Sequence, residues 1–462
     1  MRSVWLLAVV AACAAQHSVA APEATRPAAP TPMATPIVKR NEAAEVRVEL
    51  LHAWNGYHRH AWGHDEVKPL SLVPHDWNAG KPLLITPVDA LDTLILVKAD
   101  AEADAARALI DEKLSFDQDV YVKVFEITIR ELGGLLSAYQ MTGDARLLAL
   151  AKDLGRRLAP AFKSKTGMPY QYVNLHTGAV RGTKSNPAEI GTLLLEFGTL
   201  AKLSGEPAHF DRARKALMAL YQRRSELGLY GSSIDVETGK WLDPTAHIGS
   251  GIDSYYEYLV KAGRLFVDDE LQRIGHDALA AANSYLSEED AMGALWYGRV
   301  DMTTGKRTAS VFGALDAFYP AVLVLDGDLD RAARLENSAY TMWRSFGLEP
   351  ELYDYRAAKI VEPEYYLRPE IIESAYYLWR ETHDPRWRAM GRTFFDSLRE
   401  YCRTDEAYAA IADVRTKKKS DRMESYFFAE TMKYLYLLFA PDDALPENII
   451  FNTEAHPLRR TW

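Results

Sequence analysis

The sequence predicts an all-α fold in which helical hairpins close into an α/α barrel. Three observations lead there. Helical hydrophobic periodicity runs through most of the 462 residues, with few strand-like alternations. A small or acidic turn recurs roughly every 60 residues, the mark of one stacked supersecondary unit. The helices flanking each turn also differ in kind. Those before it, such as VFEITIRELGGLLSAY (124–139), are apolar nearly all round and suit an inner ring. Those after it, such as ARLLALAKDLGRRL (145–158), carry one apolar stripe and suit an outer layer.

Taken in order, residues 1–20 read as an export signal. Arg2 supplies the positive region, VWLLAVVAA the apolar core, and SVA at 18–20 a small-residue cleavage site. VAAC at 10–13 equally fits a lipoprotein box with Cys13 as the lipidated residue, so cleavage and anchoring both stay open. Residues 21–44 form a Pro/Ala-rich linker, and 45–462 a single barrel. The joints are KAD (98–100), TGD (142–144), SGE (204–206), KAG (261–263), LDGD (325–328), THD (382–384) and APDD (440–443), which imply seven hairpins. Each buries its apolar stripe against its neighbours, and a ring leaves no exposed ends.

Bulk properties narrow the function. A formal charge of −10 with no basic stripe argues against nucleic acid. No later apolar run is long enough to span a bilayer. Cys13 and Cys402 are the only cysteines, so the exported body has no internal disulfide, and core burial or a bound ion must stabilise it. No His-Glu-x-x-His helix, P-loop or GxSxG elbow is present.

Acidic residues recur early in the inner helices. They are Asp89 and Asp92, Glu126, Glu189 and Glu196, Asp253 and Glu257, Glu370 and Glu373, and Glu430. In a ring of parallel helices these positions gather at one rim. Buried carboxylates are costly unless paired, metal-bound or functional. A rim of carboxylates with Tyr, Trp and a few Arg suits sugar, and two carboxyl groups suffice for glycoside hydrolysis.

The stretches AWGHDEVKPLS (61–71), VDALDTL (88–94), VFEITIRELGGLLSAY, GMPYQYVN (167–174), AEIGTLLLEF, DSYYEYLVK, YLRPEIIES, ESYFFAETMKYLYLLF and FNTEAHP (451–457) together resemble glycoside hydrolase family 47, the class I α-1,2-mannosidases, in a bacterial form. The resemblance implies an (α/α)7 barrel whose C-terminal segment enters the barrel. It implies inverting, calcium-dependent release of terminal α-1,2-linked mannose from N-glycan-type or mannan oligosaccharides. Carried over, Glu126, Asp253 and Glu370 are the catalytic carboxylates: Glu126 the acid through a water, Glu370 the base, and Asp253 a rival for either duty. Inversion needs the carboxyl pair about 6.5–9.5 Å apart. Thr453 is the protein ligand of Ca²⁺ through its hydroxyl and carbonyl. Glu189, Glu373, Glu430 and Glu454 hold its waters, Arg130 and Arg368 orient carboxylates and sugar, and Tyr426 takes the place of a Phe beneath the ring.

Three departures from the family pattern stand out. Ala317 occupies one of the places of a cysteine bridge found in eukaryotic members. A sugar-contacting His is replaced near Ala314. Gly251 stands where an Arg restricts branch choice, which predicts a wider mouth and less branch selectivity. The implied protein is a monomer, exported to the periplasm or beyond. A non-catalytic glycan-binding protein on the same barrel is the main alternative. A sugar 2-epimerase is a weaker one, since its His bases are missing from the inner helices.

Overall fold

The first helix, Glu42–Ala61, starts where Asn41 accepts a hydrogen bond from the Ala44 amide at 3.2 Å. The computed structural model describes residues 41–78 and 80–462. The expected export signal, Cys13 and most of the linker lie outside the described residues. The cap at Asn41 puts the helix start inside the expected linker 21–44.

Among the described residues, seven inner helices form the ring: Ile85–Leu96, 124–142, 187–204, Asp253–Phe266, 314–326, Glu370–Thr382 and 427–439. Each packs against the next, and the last returns to the first. Outside them lie Asp100–Lys113, Ala145–Leu158, Ala208–Tyr221, Asp269–Tyr285, Leu329–Phe346 and 385–402. Glu42–Ala61 is the seventh outer helix and packs on the last inner one, so the first and last described helices close the circle. The structure is the expected (α/α)7 barrel.

Turn chemistry sets the hairpins. Gly143 ends one helix in the left-handed conformation (φ 74°), and Asp144 caps the next through the Arg146 amide. Two expected joints are corrected. Lys261, Ala262 and Gly263 lie inside helix Asp253–Phe266, and the turn falls at Val267–Asp268. Gly263 serves close packing instead, because a Cβ there would lie 2.6 Å from Gln272 Cγ. The joint at 440–443 leads to no helix; it leads to a β-hairpin.

That hairpin pairs Ile449–Phe451 with Pro457–Arg459 in antiparallel register. It packs against inner helices Asp253–Phe266 and 124–142, with its tip, 452–456, inside the barrel. Gly133 makes room for it: a Cβ there would sit 2.6 Å from Asn452 Nδ2 and 2.9 Å from His456 Cδ2. Gly133→Ala should therefore lower stability in urea titration. Overpacking costs roughly 1–3 kcal/mol, more than the ~1 kcal/mol alanine gains in helix propensity.

Other short strands, in antiparallel sheets of two or three, occupy the connections that lead into inner helices. Tyr121–Lys123, for example, runs directly into Val124. These connections build the rim at the inner helices' N-termini. No described helix is long and apolar enough to cross a membrane.

Candidate active site

Asp253 and Glu370 are the first residues of their helices. Glu189 lies in the first turn of another, where the Asn186 side chain caps the Glu189 amide at 2.9 Å. Two further inner helices carry a wider π turn, at Thr128–Leu132 and Phe427–Thr431. Those turns hold Arg130 and Glu430 and shift the faces they present. Helical periodicity does not reveal such turns.

All of Glu126, Arg130, Glu189, Asp253, Arg368, Glu370, Glu373, Tyr426, Glu430, Thr453 and Glu454 line one cavity of ≈ 250 Å³ at this rim. Of the other acids expected at this rim, Glu257 also lines the cavity, whereas Asp89, Asp92 and Glu196 do not: they are buried beneath it, paired with His456 and Asn452 of the hairpin tip. Gly251 is on its lip, with φ +91°. Leu315 and Phe318 form its wall near Ala314, an apolar surface at the place where the family pattern has a sugar-contacting His.

Arg130 organises one side. Its Nε and Nη2 both donate to Glu126 Oε2 at 3.2 Å, and its Nη1 reaches Asp89 Oδ2 at 3.3 Å and also Glu454. Lys123, which the sequence did not single out, donates to Glu189 at 2.7 Å. On the other side Arg368 grips Glu351 through two N–H groups at 2.9 Å. Tyr426 lies between the two guanidinium groups, 5.7 Å from each, with its hydroxyl tied to the Tyr366 carbonyl at 2.6 Å. Both guanidinium groups thus lie within cation–π range of the ring, which forms part of the cavity lining.

Burial dominates the titration of Asp253, Glu370, Glu373 and Glu430. It pushes Asp253 up to about 7, with the Ser254 amide opposing. It pushes Glu370 up to about 8 against the pull of Arg368. Glu373 is raised by burial despite Lys261, and Glu430 rises further through burial and the charges of Glu370 and Glu373. The cavity thus holds more carboxyl groups than its cations balance.

The floor comes from the hairpin tip. Asn452 shapes it: the side chain donates to the Ile129 carbonyl and to Glu196, and accepts from the amides of Glu454 and His456. Beneath lies a buried ionic chain. His456 Nδ1 donates to Asp92 at 2.7 Å and Nε2 to Asp89 at 3.1 Å, and Lys433 donates to Asp92 at 2.7 Å. Asn452 and His456 lie within FNTEAHP, yet no role for either could be read from sequence, because it arises only through tertiary contact.

Among the described residues no three His, Cys, Asp or Glu side chains form a metal cage. A cation at Thr453 would take few direct protein ligands and several waters, which a hard ion tolerates. The lining of the cavity that Thr453 shares holds neither His nor Cys, and its carboxyl groups outnumber its three cations, which suits a hard ion.

The sequence matches glycosyl hydrolase family 47 over residues 49–460. The chain is 39% identical over 450 residues to human ER degradation-enhancing alpha-mannosidase-like protein 2, covering 89% of this chain and 76% of that protein. It is 34% identical to Mannosyl-oligosaccharide 1,2-alpha-mannosidase IA of Sus scrofa, covering 91% and 68%. The structure superposes on an alpha-1,2-mannosidase from Trichoderma reesei with a TM-score of 0.84 at 27% identity, over 91% of this chain and 99% of that one. A cellobiose 2-epimerase from Bacillus thermoamylovorans, at 12% identity and a TM-score of 0.54, shares the general fold alone. By sequence and by architecture, the chain belongs to glycosyl hydrolase family 47 and is a glycoside hydrolase of its alpha-mannosidase type.

Proposed function

We propose that the protein is an exo-acting α-1,2-mannosidase that releases terminal mannose with inversion and depends on Ca²⁺. The observation that carries this reading is the meeting of Glu126, Asp253 and Glu370 in one cavity that Thr453 also lines. A cavity of ≈ 250 Å³ suits one pyranose, hence a chain end.

In this reading the mannose ring lies on Tyr426, between Arg130 and Arg368. Glu126 delivers a proton to the glycosidic oxygen through a water. Arg130 occupies its Oε2 and leaves Oε1 to carry that proton. Glu370 takes a proton from the water that attacks the anomeric carbon from the opposite face. Asp253 remains the rival for either duty. Thr453 would hold calcium through its hydroxyl and carbonyl, with Glu189, Glu373, Glu430 and Glu454 holding its waters. When bound, the ion supplies positive charge that grips the mannose hydroxyls. Gly251 leaves the lip open, so branched oligosaccharides of mannose are expected to be trimmed with little branch preference.

The export signal at 1–20, a linker from 21 that stops short of the helix start at Glu42, monomeric state and extracytoplasmic location belong to the same proposal. So does bacterial origin, which rests on Ala317 at a cysteine place.

Proton NMR of the protein with an α-1,2-linked mannobioside tests it, first with Ca²⁺ and then with chelator. Early β-mannose that disappears on chelation is the expected result. Early α-mannose would overturn inversion, and unchanged turnover after chelation would overturn metal dependence. Saturable binding without cleavage would favour the binding-protein reading.

A further inference from the structure

Behind Glu370 lies a seam of buried carboxyl oxygens that the mechanism above does not use. Glu370 Oε2 has no hydrogen-bond partner. Both oxygens of Glu349 lack one, as do both of Glu336. Glu336 and Glu349 are wholly buried. Glu336 lies on outer helix Leu329–Phe346, which packs on inner helix Glu370–Thr382. Glu349 follows that outer helix by three residues. Two residues on, Glu351 grips Arg368, which fixes the segment beside the start of helix Glu370–Thr382. Unsatisfied buried polar groups are rare, and enclosed water is their usual partner.

We propose that Glu349 is a positioning residue for Glu370: linked to its Oε2 through enclosed water, the Glu349 carboxyl donates the hydrogen bond that holds Glu370 ready to accept a proton. Glu336 anchors the far end of the same water. Burial, and then the charges of Glu370, Glu351 and Glu336, keep Glu349 well above the usual carboxylate range, with Arg368 opposing, so it has a proton to donate. Glu370 also feels the charges of Arg368, Glu351 and, on its own helix, Glu373; its charge acts in turn on Glu430 and Tyr426, and Tyr365 feels both acids. A hydrogen bond given to the ionised form lowers a carboxyl's pKa. Glu370 takes one proton from water in each turnover and returns it to solvent, while Glu349 keeps its own.

The proposal rests on Glu370 being the base. Glu349→Leu and Glu349→Gln, compared by kcat/KM against pH, test it. The Leu variant, lacking a donor, should move the acidic limb up by about one unit, a roughly tenfold loss below it with KM unchanged. Gln, which keeps a donor, should restore the limb. No shift in either variant would overturn the proposal, and so would a downward shift, which would mean that Glu349 is ionised. If the Leu variant does not fold, infrared spectra at neutral pH decide: Glu349→Gln must lose a protonated-carboxyl band, and its retention overturns the proposal. Near-normal activity in Glu370→Gln would instead sink the base assignment, with that band still in place.

Discussion

Glu370→Gln should lower kcat by ~10²–10⁴-fold while mannose still binds. The amide keeps the shape and the place at the start of its helix but cannot take a proton from water. Single-turnover kinetics together with calorimetric binding of the sugar checks both halves. Turnover within a few-fold of the parent would remove Glu370 from the base's role. Leaving-group chemistry can sort Glu126 from Asp253. A mannoside whose leaving group needs no protonation should rescue the variant of the acid and leave Glu370→Gln inactive. Because burial holds Glu370 at about 8, and a base works ionised, activity should climb with pH along a limb above the usual carboxylate range.

The second large effect is on stability. His456→Leu should cost about 3–5 kcal/mol, the range for breaking a buried ionic contact by removing one partner. Burial alone would discharge the imidazole, but Asp92 and Asp89 outweigh it and raise its pKa. Asp92 in turn lies at about 2, because Lys433 and His456 overcome its burial. Taking away the imidazole leaves two aspartates each short of a partner, in a place no solvent reaches. Chemical denaturation of the variant measures the loss; a change below ~1 kcal/mol would show that Lys433 and Arg130 compensate by themselves.

Much of the architecture was legible because the outer helices are locally encoded. Ala145–Leu158 has the bounds its amphipathic stripe predicts. The early acids of the inner helices were legible too, since Glu126, Asp253 and Glu370 stand among residues that would otherwise be apolar. What escaped was tertiary in origin. Gly263 resembles a turn glycine, yet its missing side chain admits Gln272 of a neighbouring helix. The π turns around Arg130 and Glu430 arise from how those segments seat in the ring. Lys123, Gln171 and Lys261 reveal their roles only through the carboxylates they meet, Glu189 for the first two and Glu257 and Glu373 for the third. His456 has the same history: nothing local to FNTEAHP names partners more than 360 residues earlier in the chain.

The hairpin tip also bears on the order of assembly. It follows every barrel helix in the chain, yet its side chains meet groups near the beginning, so these contacts carry a large loop-closure cost and form late. A ring that closed first would enclose Asp89, Asp92 and Lys433 without their imidazole, and its cavity would have no floor. Such an intermediate would be poorly stable and unable to turn over substrate. Catalytic competence and completed folding therefore arrive in the same step, and a nascent chain stays silent until its final residues have been threaded home.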